Sequence, residues 1–202
     1  SAVGFASGSS ARGCVGARVR DGQTTSDTGS LIMTNRVLGL VAASADTVVT
    51  ELDLTSFNSD GFTLDKSTGA SATVVLWLAW RGPQIKVGTC VTRTDTSDQP
   101  VTGVGFQPTA LILMGANGTA TETVQSAHAH PSMGWATSST ARAAINLCDE
   151  DGLATGSDCQ AGIRTTRVFE RRSRTGADTY ATLGDMDFVS FDADGFTLDQ
   201  VT

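Results

Sequence analysis

The chain has 202 residues, of which 17% are charged, and its 21 acidic against 14 basic side chains give a formal net charge of -7. Lysine occurs only at Lys66 and Lys86, so the sequence lacks the basic surface that a nucleic-acid backbone requires. The longest apolar run, Thr73–Trp80, is too short to cross a membrane, and residues 1–5 lack the basic start of a secretory signal. The 22 glycines and abundant Ser and Thr predict many short strands joined by turns, and therefore an all-β protein.

The clearest predicted elements are strands. Val48–Leu54 alternates apolar and polar residues, as half-buried strands do. Phe62–Leu64 and Phe196–Leu198 each follow an Asp-Gly turn, which predicts the return arm of a hairpin. Thr73–Trp80 and Ala110–Met114 are continuously apolar, which is typical of central strands buried on both faces. Helices are expected to be few and short, and the whole pattern predicts a β-sandwich or jelly-roll-like arrangement.

One sequence unit is used about one and a half times along the chain. The matching stretches are collinear and displaced by 130 to 134 positions: residues 3–12 with 133–142, 21–22 with 151–152, 34–37 with 165–168, and 56–65 with 190–199. Collinear matches with small drifts are what a duplication followed by loop insertions produces, so we interpret the two stretches as copies of one repeat.

The repeat divides the chain into a first partial copy at residues 1–90, a polar linker or long turn at 91–103, and a second partial copy at 104–202. The first copy lacks the opening strand and the second lacks the Trp-rich closing strand, which leaves strand edges unpaired. We expect the copies to pack into one joint sandwich related by a pseudo-twofold, because contacts within a chain cost less association entropy. The alternative is that a neighbouring chain supplies the missing strand and the protein polymerises by strand addition.

Metal sites are weakly indicated. In an extended segment His128 and His130 point to the same side, and such a pair can bind a transition metal. No nearby Cys or carboxylate completes a site, and a turn before Pro131 with solvent-facing imidazoles is the simpler interpretation. The turns Asn58–Gly61 and Asp192–Gly195 resemble the opening of a calcium loop, but Phe-Thr-Leu follows where more oxygen ligands are needed. Strand-joining turns are therefore predicted there, and no cofactor.

The remaining candidate residues have structural interpretations. Cys148 and Cys159 flank a turn-rich stretch, so a disulfide between them and two free buried thiols are equally open. A local basic cluster is predicted to be an exposed hairpin tip: Arg167, Arg171, Arg172 and Arg174. Three tryptophans could line a sugar-binding surface, although core packing is favoured for the first two: Trp77, Trp80 and Trp135. The sequence has no Gly-x-Ser-x-Gly elbow and no other histidines, so an enzyme is not predicted.

Three motifs together resemble a β-rich domain of tailed-phage virion proteins: Gly105–Pro108 (Gly-Phe-Gln-Pro) before an apolar strand, Ser56–Leu64, and Leu76–Trp80. In that family the first motif opens the unit and a Trp-containing strand closes it, whereas here the order is shifted. The resemblance implies an architectural role without catalysis for a motif that occurs in both copies: Phe57, Asp60, Gly61 and Phe62, and again Phe191, Asp194, Gly195 and Phe196. Phe57 and Phe62 are expected in the core, and Asp60 and Gly61 in a turn.

The function implied by this resemblance is that of a non-enzymatic structural protein on the surface of a phage particle, as a tail fibre, head fibre or capsid decoration. Its expected partners are further copies of itself, in a homo-oligomer, or other virion proteins, and neither nucleic acid nor membrane. One alternative is a module that binds a carbohydrate or host receptor at a fibre tip. Another is the subunit of an extracellular filament, and a hydrolase ranks last.

Overall fold

The computed structural model describes residues 1–19, 28–43, 45–69, 72–79, 81–82, 84–116, 118, 120–125, 128–151, 159–176 and 179–202. These residues form strands and no helix, so the all-β prediction is confirmed and no described helix could span a membrane. The strands are β1 (Ala2–Gly8), β2 (Ala11–Arg18), β3 (Gly29–Met33), β4 (Leu38–Val41), β5 (Val48–Phe57), β6 (Phe62–Thr68), β7 (Gln99–Val101), β8 (Leu111–Gly115), β9 (Val124–Gln125), β10 (His128–Ala129), β11 (Ser132–Ala136), β12 (Arg142–Glu150), β13 (Cys159–Arg164), β14 (Phe169–Gly176), β15 (Thr179–Asp192) and β16 (Gly195–Gln200).

The first repeat forms two antiparallel sheets that pack on each other through β2 and β4. One sheet has the order β1-β2-β3-β9, and the other has the order β4-β5-β6. Cys14, Leu31 and Met33 are the buried residues of the cluster between them. Strand β9 comes from the second half of the chain, and its Val124 packs against this cluster. One short strand is therefore shared between the halves.

The second repeat has the same strands in the same order, with three additions, the first of which is β10, paired with β12. Strands β11 to β16 correspond to β1 to β6, and β12 packs against β14 as β2 packs against β4. Strand β8 adds to β11, and β7 adds to β16. The buried cluster of this repeat is larger: Ala136, Val168, Phe169, Met186, Phe188, Phe196 and Leu198. Among the described residues each repeat has an apolar cluster of its own. The joint packing of the copies and their pseudo-twofold relation stay predictions.

An arginine–aspartate ion pair recurs in both repeats. Arg12 donates to the Asp53 carboxylate, with 2.9 Å between Nη2 and Oδ2. Arg142 donates in the same way to Asp187, with 2.7 Å between Nη2 and Oδ2. Each pair joins the second strand of its repeat to the fifth, across the two sheets. The two copies therefore share this contact between strands as well as their sequence. The matched residues 21–22 lie outside the described part of the chain.

The predicted central strand at Thr73–Trp80 is wrong where the structure describes it. Residues 72–79 form no strand, Leu76 is 93% exposed and Trp77 is 70% exposed. Trp80 lies outside the described residues. A strand forms only where a neighbour completes its ladder of hydrogen bonds, and among the described strands β6 pairs with β5 alone. The apolar composition of this segment therefore did not predict a strand, because the segment has no described strand to pair with. The predicted core packing is also wrong for Trp77, which is exposed.

Two further strand predictions are confirmed in position but differ in detail. Val48–Leu54 lies in β5, and its side chains alternate between the packed and the open face. Ala110–Met114 corresponds to β8, but this strand lies at the edge of its sheet, and Ile112 is 48% exposed. Burial on both faces is therefore wrong for β8, because the face that carries Ile112 is open to solvent. The polar stretch at 91–103 contains bends at residues 94–97 and ends in the short strand β7.

Candidate functional site

The two Asp-Gly hairpins use their side chains to hold a turn. In the second repeat the Asp192 carboxylate accepts hydrogen bonds from the hydroxyls of Ser190 and Thr197, each at 2.7 Å, and these bonds lower the pKa of Asp192. In the first repeat Asn58 takes this place, and its side-chain amide donates to the Thr63 hydroxyl at 3.0 Å. Both predicted return arms, β6 and β16, pair with the strand before the turn, so the hairpin predictions are confirmed.

In the second repeat the turn also binds a distant segment, Gln99–Pro108, which we call the cover segment. The Asp194 carboxylate accepts hydrogen bonds from the backbone N–H of Gly105 at 2.6 Å and of Gly103 at 3.0 Å. These two bonds, the one from Gly105 first, lower the pKa of Asp194. Gly103 and Gly105 have φ of 81° and 88°, a conformation that favours glycine. The side-chain amide of Gln107 donates to the Phe191 carbonyl oxygen at 2.9 Å.

The cover segment also closes the apolar end of the second repeat. Its strand β7 pairs with β16, and Val101 and Val104 pack against the buried cluster. Beneath it Phe196 is 8% exposed and Leu198 is fully buried. Gly195 lies where a Cβ atom would overlap the Val101 carbonyl oxygen, so a side chain at this position would push the cover segment away.

No described segment covers the same motif in the first repeat. Phe57 is 56% exposed and Asp60 is exposed, and no atom lies within 4 Å of a Cβ built on Gly61. Among the described residues no strand pairs with the outer edge of β6. The expectation that Phe57 belongs to the core is therefore wrong: it is exposed, whereas its counterpart Phe191 packs against Phe188, with ring centroids 4.5 Å apart. Phe62 is half-buried and is met edge-on by Trp77, with ring centroids 5.4 Å apart.

A second edge of the first repeat is open as well. Strand β8 covers the outer edge of β11 in the second repeat, whereas the described strands leave the outer edge of β1 without a partner. Beside β1 lies a groove of about 550 Å³ between the repeats, lined by equivalent residues such as Val3 and Met133. No acidic, basic or histidine side chain lines it in the described part of the chain. The described lining of the groove is therefore suited to apolar packing.

The histidine pair is stacked and partly buried. The rings of His128 and His130 lie 5.8 Å apart and nearly parallel, which confirms that the two side chains share a side. His128 Nδ1 accepts a hydrogen bond from the Asp151 backbone N–H at 3.3 Å. His130 is 3% exposed, so a solvent-facing imidazole is wrong for this residue. Burial, and then the neighbouring His128, lower the pKa of His130 to about 4. Among the described residues no group of three potential ligands surrounds a metal position.

The predicted basic hairpin tip is wrong, because its arginines pair with buried carboxylates. Arg167 pairs with Asp185, which is 2% exposed, and Arg172 donates to Glu170 at 3.0 Å. Glu170 is fully buried and also accepts a hydrogen bond from the Asn146 amide at 2.7 Å. The backbone of β14 carries the two remaining positions, Arg171, which is half-buried, and Arg174, whose side chain lies outside the described part.

The cysteines are free thiols. Cys148 is buried and Cys159 is half-buried on the neighbouring strand, but they are offset by one residue, because Cys148 lies opposite Gln160. Burial, and then the nearby Cys159, raise the pKa of Cys148 to about 11. The free-thiol alternative is therefore the one observed. Trp135 on β11 is 42% exposed and Trp77 is 70% exposed, so each presents an aromatic ring to solvent.

Comparisons with family models, with curated proteins and with solved structures find no match to this chain. The candidate site consequently stands on geometry alone, as the open turn and open β6 edge of the first repeat. Sequence reasoning missed the bond from Asp194 to the cover segment. A signal for it was present, because the Asp-Gly-Phe-Thr-Leu motif occurs twice while Gly-Phe-Gln-Pro occurs once.

Proposed function

We propose that this chain is a non-enzymatic structural protein of a phage particle, in a tail fibre, a head fibre or a capsid decoration, and that it assembles through open sheet edges. The observation that supports this most directly is the open β6 edge of the first repeat, whose equivalent in the second repeat is covered by β7. An unpaired strand edge beside apolar side chains is a template for pairing with another chain.

The composition of this surface agrees with assembly. Phe57 is 56% exposed beside the turn, and Leu76 and Trp77 are more exposed still. Exposed apolar side chains close together in a monomer are typical of protein–protein contacts. The formal net charge of -7 weakens contact with nucleic acid, whose phosphates are also negative, and leaves a protein as the expected partner of the β6 edge. The motif resemblance to tailed-phage virion proteins gives the particle as the setting.

Sedimentation velocity and negative-stain electron microscopy of the purified chain test this proposal. We expect discrete oligomers that grow with concentration in the micromolar range. Leu64→Lys puts a charge on the packed face of β6 and should shift the chain towards monomer, whereas the matched control Thr63→Lys, on the opposite face, should not. A chain that stays monomeric at every concentration, or a Leu64→Lys variant that assembles like the wild type, contradicts assembly through this edge.

A second candidate function is carbohydrate or host-receptor binding, which the exposed rings of Trp77 and Trp135 favour. Aromatic faces open to solvent are suited to stacking on sugar rings. A glycan array, followed by titration of any hit against Trp77→Ala and Trp135→Ala, tests it. Saturable binding that either substitution removes supports this function, and an array without hits counts against it.

A further inference from the structure

We propose that the first repeat holds an acceptor site for an extended, uncharged strand with the chemistry of the cover segment, supplied by a neighbouring polypeptide. In this site the incoming strand pairs with the outer edge of β6, and its Gly-x-Gly backbone N–H groups donate to the Asp60 carboxylate. The inference rests on the proposed assembly function and specifies the partner of the open edge.

The residues that bind the cover segment in the second repeat are all present in the first. Asp194 corresponds to Asp60, and Phe196 and Leu198 correspond to Phe62 and Leu64 in an identical stretch, Asp-Gly-Phe-Thr-Leu-Asp. The hairpins have the same pairing, since Phe57 lies opposite Phe62 as Phe191 lies opposite Phe196. The first repeat therefore keeps the shape and the side chains of a strand-binding turn.

Gly61 supplies an independent argument. Its φ lies outside the left-handed region, and no atom lies within 4 Å of the position of a Cβ atom, so nothing in the described chain requires glycine there. Its counterpart Gly195 is required, because a Cβ atom at that position would overlap the Val101 carbonyl oxygen of the cover segment. The empty space at Gly61 matches the path that the backbone of a covering strand takes in the second repeat.

The exposed apolar side chains of the first repeat indicate how an incoming strand would be stabilised. Phe57 is 56% exposed, and Phe62 and Leu64 are half-buried, whereas Phe196 is 8% exposed and Leu198 is fully buried. A strand with apolar residues at the positions of Val101 and Val104 would bury these side chains, and apolar burial is the main favourable term in such association.

Charge and connectivity identify the occupant as a strand of another polypeptide. The cover segment, Gln99–Pro108, contains no charged side chain, so it meets no repulsion from a chain of net charge -7. Within its own chain it is already bonded to Asp194 and is not free to reach Asp60. Residues 72–79 contact β6 through the ring of Trp77 on Phe62, but they form no strand, so the backbone edge of β6 has no described pairing partner.

A synthetic peptide with the sequence of residues 99–108, Gln-Pro-Val-Thr-Gly-Val-Gly-Phe-Gln-Pro, tests the site by isothermal titration against the whole chain. We expect saturable binding with one peptide per chain. Asp60→Ala should weaken binding at least tenfold, and so should replacing both glycines of the peptide by proline, which removes the two N–H donors. Asp65→Ala, on the same hairpin but away from the turn, is the matched control and should bind like the wild type.

Gly61→Ala is the sharpest variant, because the free chain has room for its methyl group and the complex does not. We expect an unchanged melting temperature together with at least a tenfold loss of peptide affinity. Peptide binding that survives Gly61→Ala overturns the proposed location, and no binding to the wild-type chain overturns the site. Sedimentation without peptide separates this inference from the proposed function: oligomers without peptide binding refute only the acceptor site, and a monomer that binds peptide refutes only self-assembly.

Discussion

Gly134 lies so close to the carbonyl oxygen of Val168 that a Cβ atom on this glycine would overlap that oxygen. Gly4 has the same relation to Val37 in the first repeat. In both cases the first strand of the repeat approaches the backbone just before the fourth strand, and the valine N–H is bonded to the fifth strand. The contact therefore fixes the spacing between the two sheets at one point in each repeat.

Gly134→Ala should lower the free energy of unfolding by about 3 kcal/mol, because the methyl group can only be accommodated by moving backbone. Guanidinium denaturation followed by circular dichroism measures the change. Gly8→Ala, at the end of β1 with no atom within 4 Å of its Cβ position, is the control and should change stability by less than about 1 kcal/mol. Equal denaturation midpoints for Gly134→Ala and the wild type would show that the two sheets can move apart at this point without loss of unfolding free energy.

The sequence predicted the two Asp-Gly hairpins well, but it predicted burial poorly, and the strand expected at Thr73–Trp80 did not form where it is described. Both hairpins were predictable, because an Asp-Gly turn between alternating residues specifies the pairing of adjacent strands. Burial was not, because Phe57 and Phe191 have nearly the same neighbours in sequence and differ in what covers them. Asp194 and Gly103, whose bond makes that difference, are 91 residues apart. Glu170 was missed for the same reason, since nearby arginines in the sequence indicated a solvated tip rather than a buried ion pair.

Truncation of equivalent leucines should cost more unfolding free energy in the covered second repeat than in the open first repeat. Leu198→Ala should cost about 3 kcal/mol of unfolding free energy, because Leu198 is fully buried and its removal leaves a cavity. Leu64→Ala should cost about 1 kcal/mol, because Leu64 is half-buried and its site is open to water. Urea denaturation of both variants measures the difference, and similar losses would mean that β6 is covered in solution.

The buried ionic cluster of the second repeat should be sensitive to the loss of Glu170. In the first repeat the equivalent positions are apolar or small, namely Leu31, Met33 and Gly39, whereas the second repeat has Gly162, Arg164 and Glu170. Arg164 lies 3.3 Å from the Glu170 carboxylate, which is also bonded to Thr182 at 3.1 Å. The second repeat therefore has a buried ion pair at the positions where the first repeat has apolar side chains and a glycine.

Glu170→Ala should lower the free energy of unfolding by about 3 kcal/mol or more, because it leaves Arg172 and Asn146 without the carboxylate that they bind. Thermal and chemical denaturation measure the loss. Asp65→Ala removes an exposed carboxylate on β6 and should change stability by less than about 0.5 kcal/mol. Comparable stabilities for the two variants would argue that water, rather than the arginines, satisfies Glu170.

The cysteines should differ strongly in reactivity towards iodoacetamide. Cys90 is exposed, whereas Cys14 and Cys148 are buried. Burial raises the pKa of all three thiols, that of Cys14 to about 12 and that of Cys148 to about 11. Because the thiolate is the nucleophile, native protein at pH 8 should be alkylated first at Cys90, and at Cys14 and Cys148 only after denaturation. Mass spectrometry of digested samples locates the modified residues, and a disulfide-linked peptide pair would contradict the free-thiol assignment.

Protonation of His130 should make the fold sensitive to mild acid. The pKa of this histidine is about 4 in the folded chain, against about 6.5 for an unperturbed histidine in the unfolded one. The unfolded state therefore binds the proton first, and the stability that neutral His130 contributes is present above pH 6.5 and lost as the pH falls towards 4. The full difference corresponds to about 3 kcal/mol, at about 1.4 kcal/mol for each pKa unit.

Urea denaturation at pH 7, 6, 5 and 4.5 measures this loss, and His130→Gln isolates it from the carboxylates, which titrate in both proteins. The wild-type chain should lose about 2 kcal/mol more than the variant over that interval, because the glutamine has no proton to gain. Because the substitution itself changes the stability at pH 7, the slopes are compared rather than the absolute values. Parallel stability curves for the two proteins would mean that His130 is hydrated, or already protonated, in the folded state.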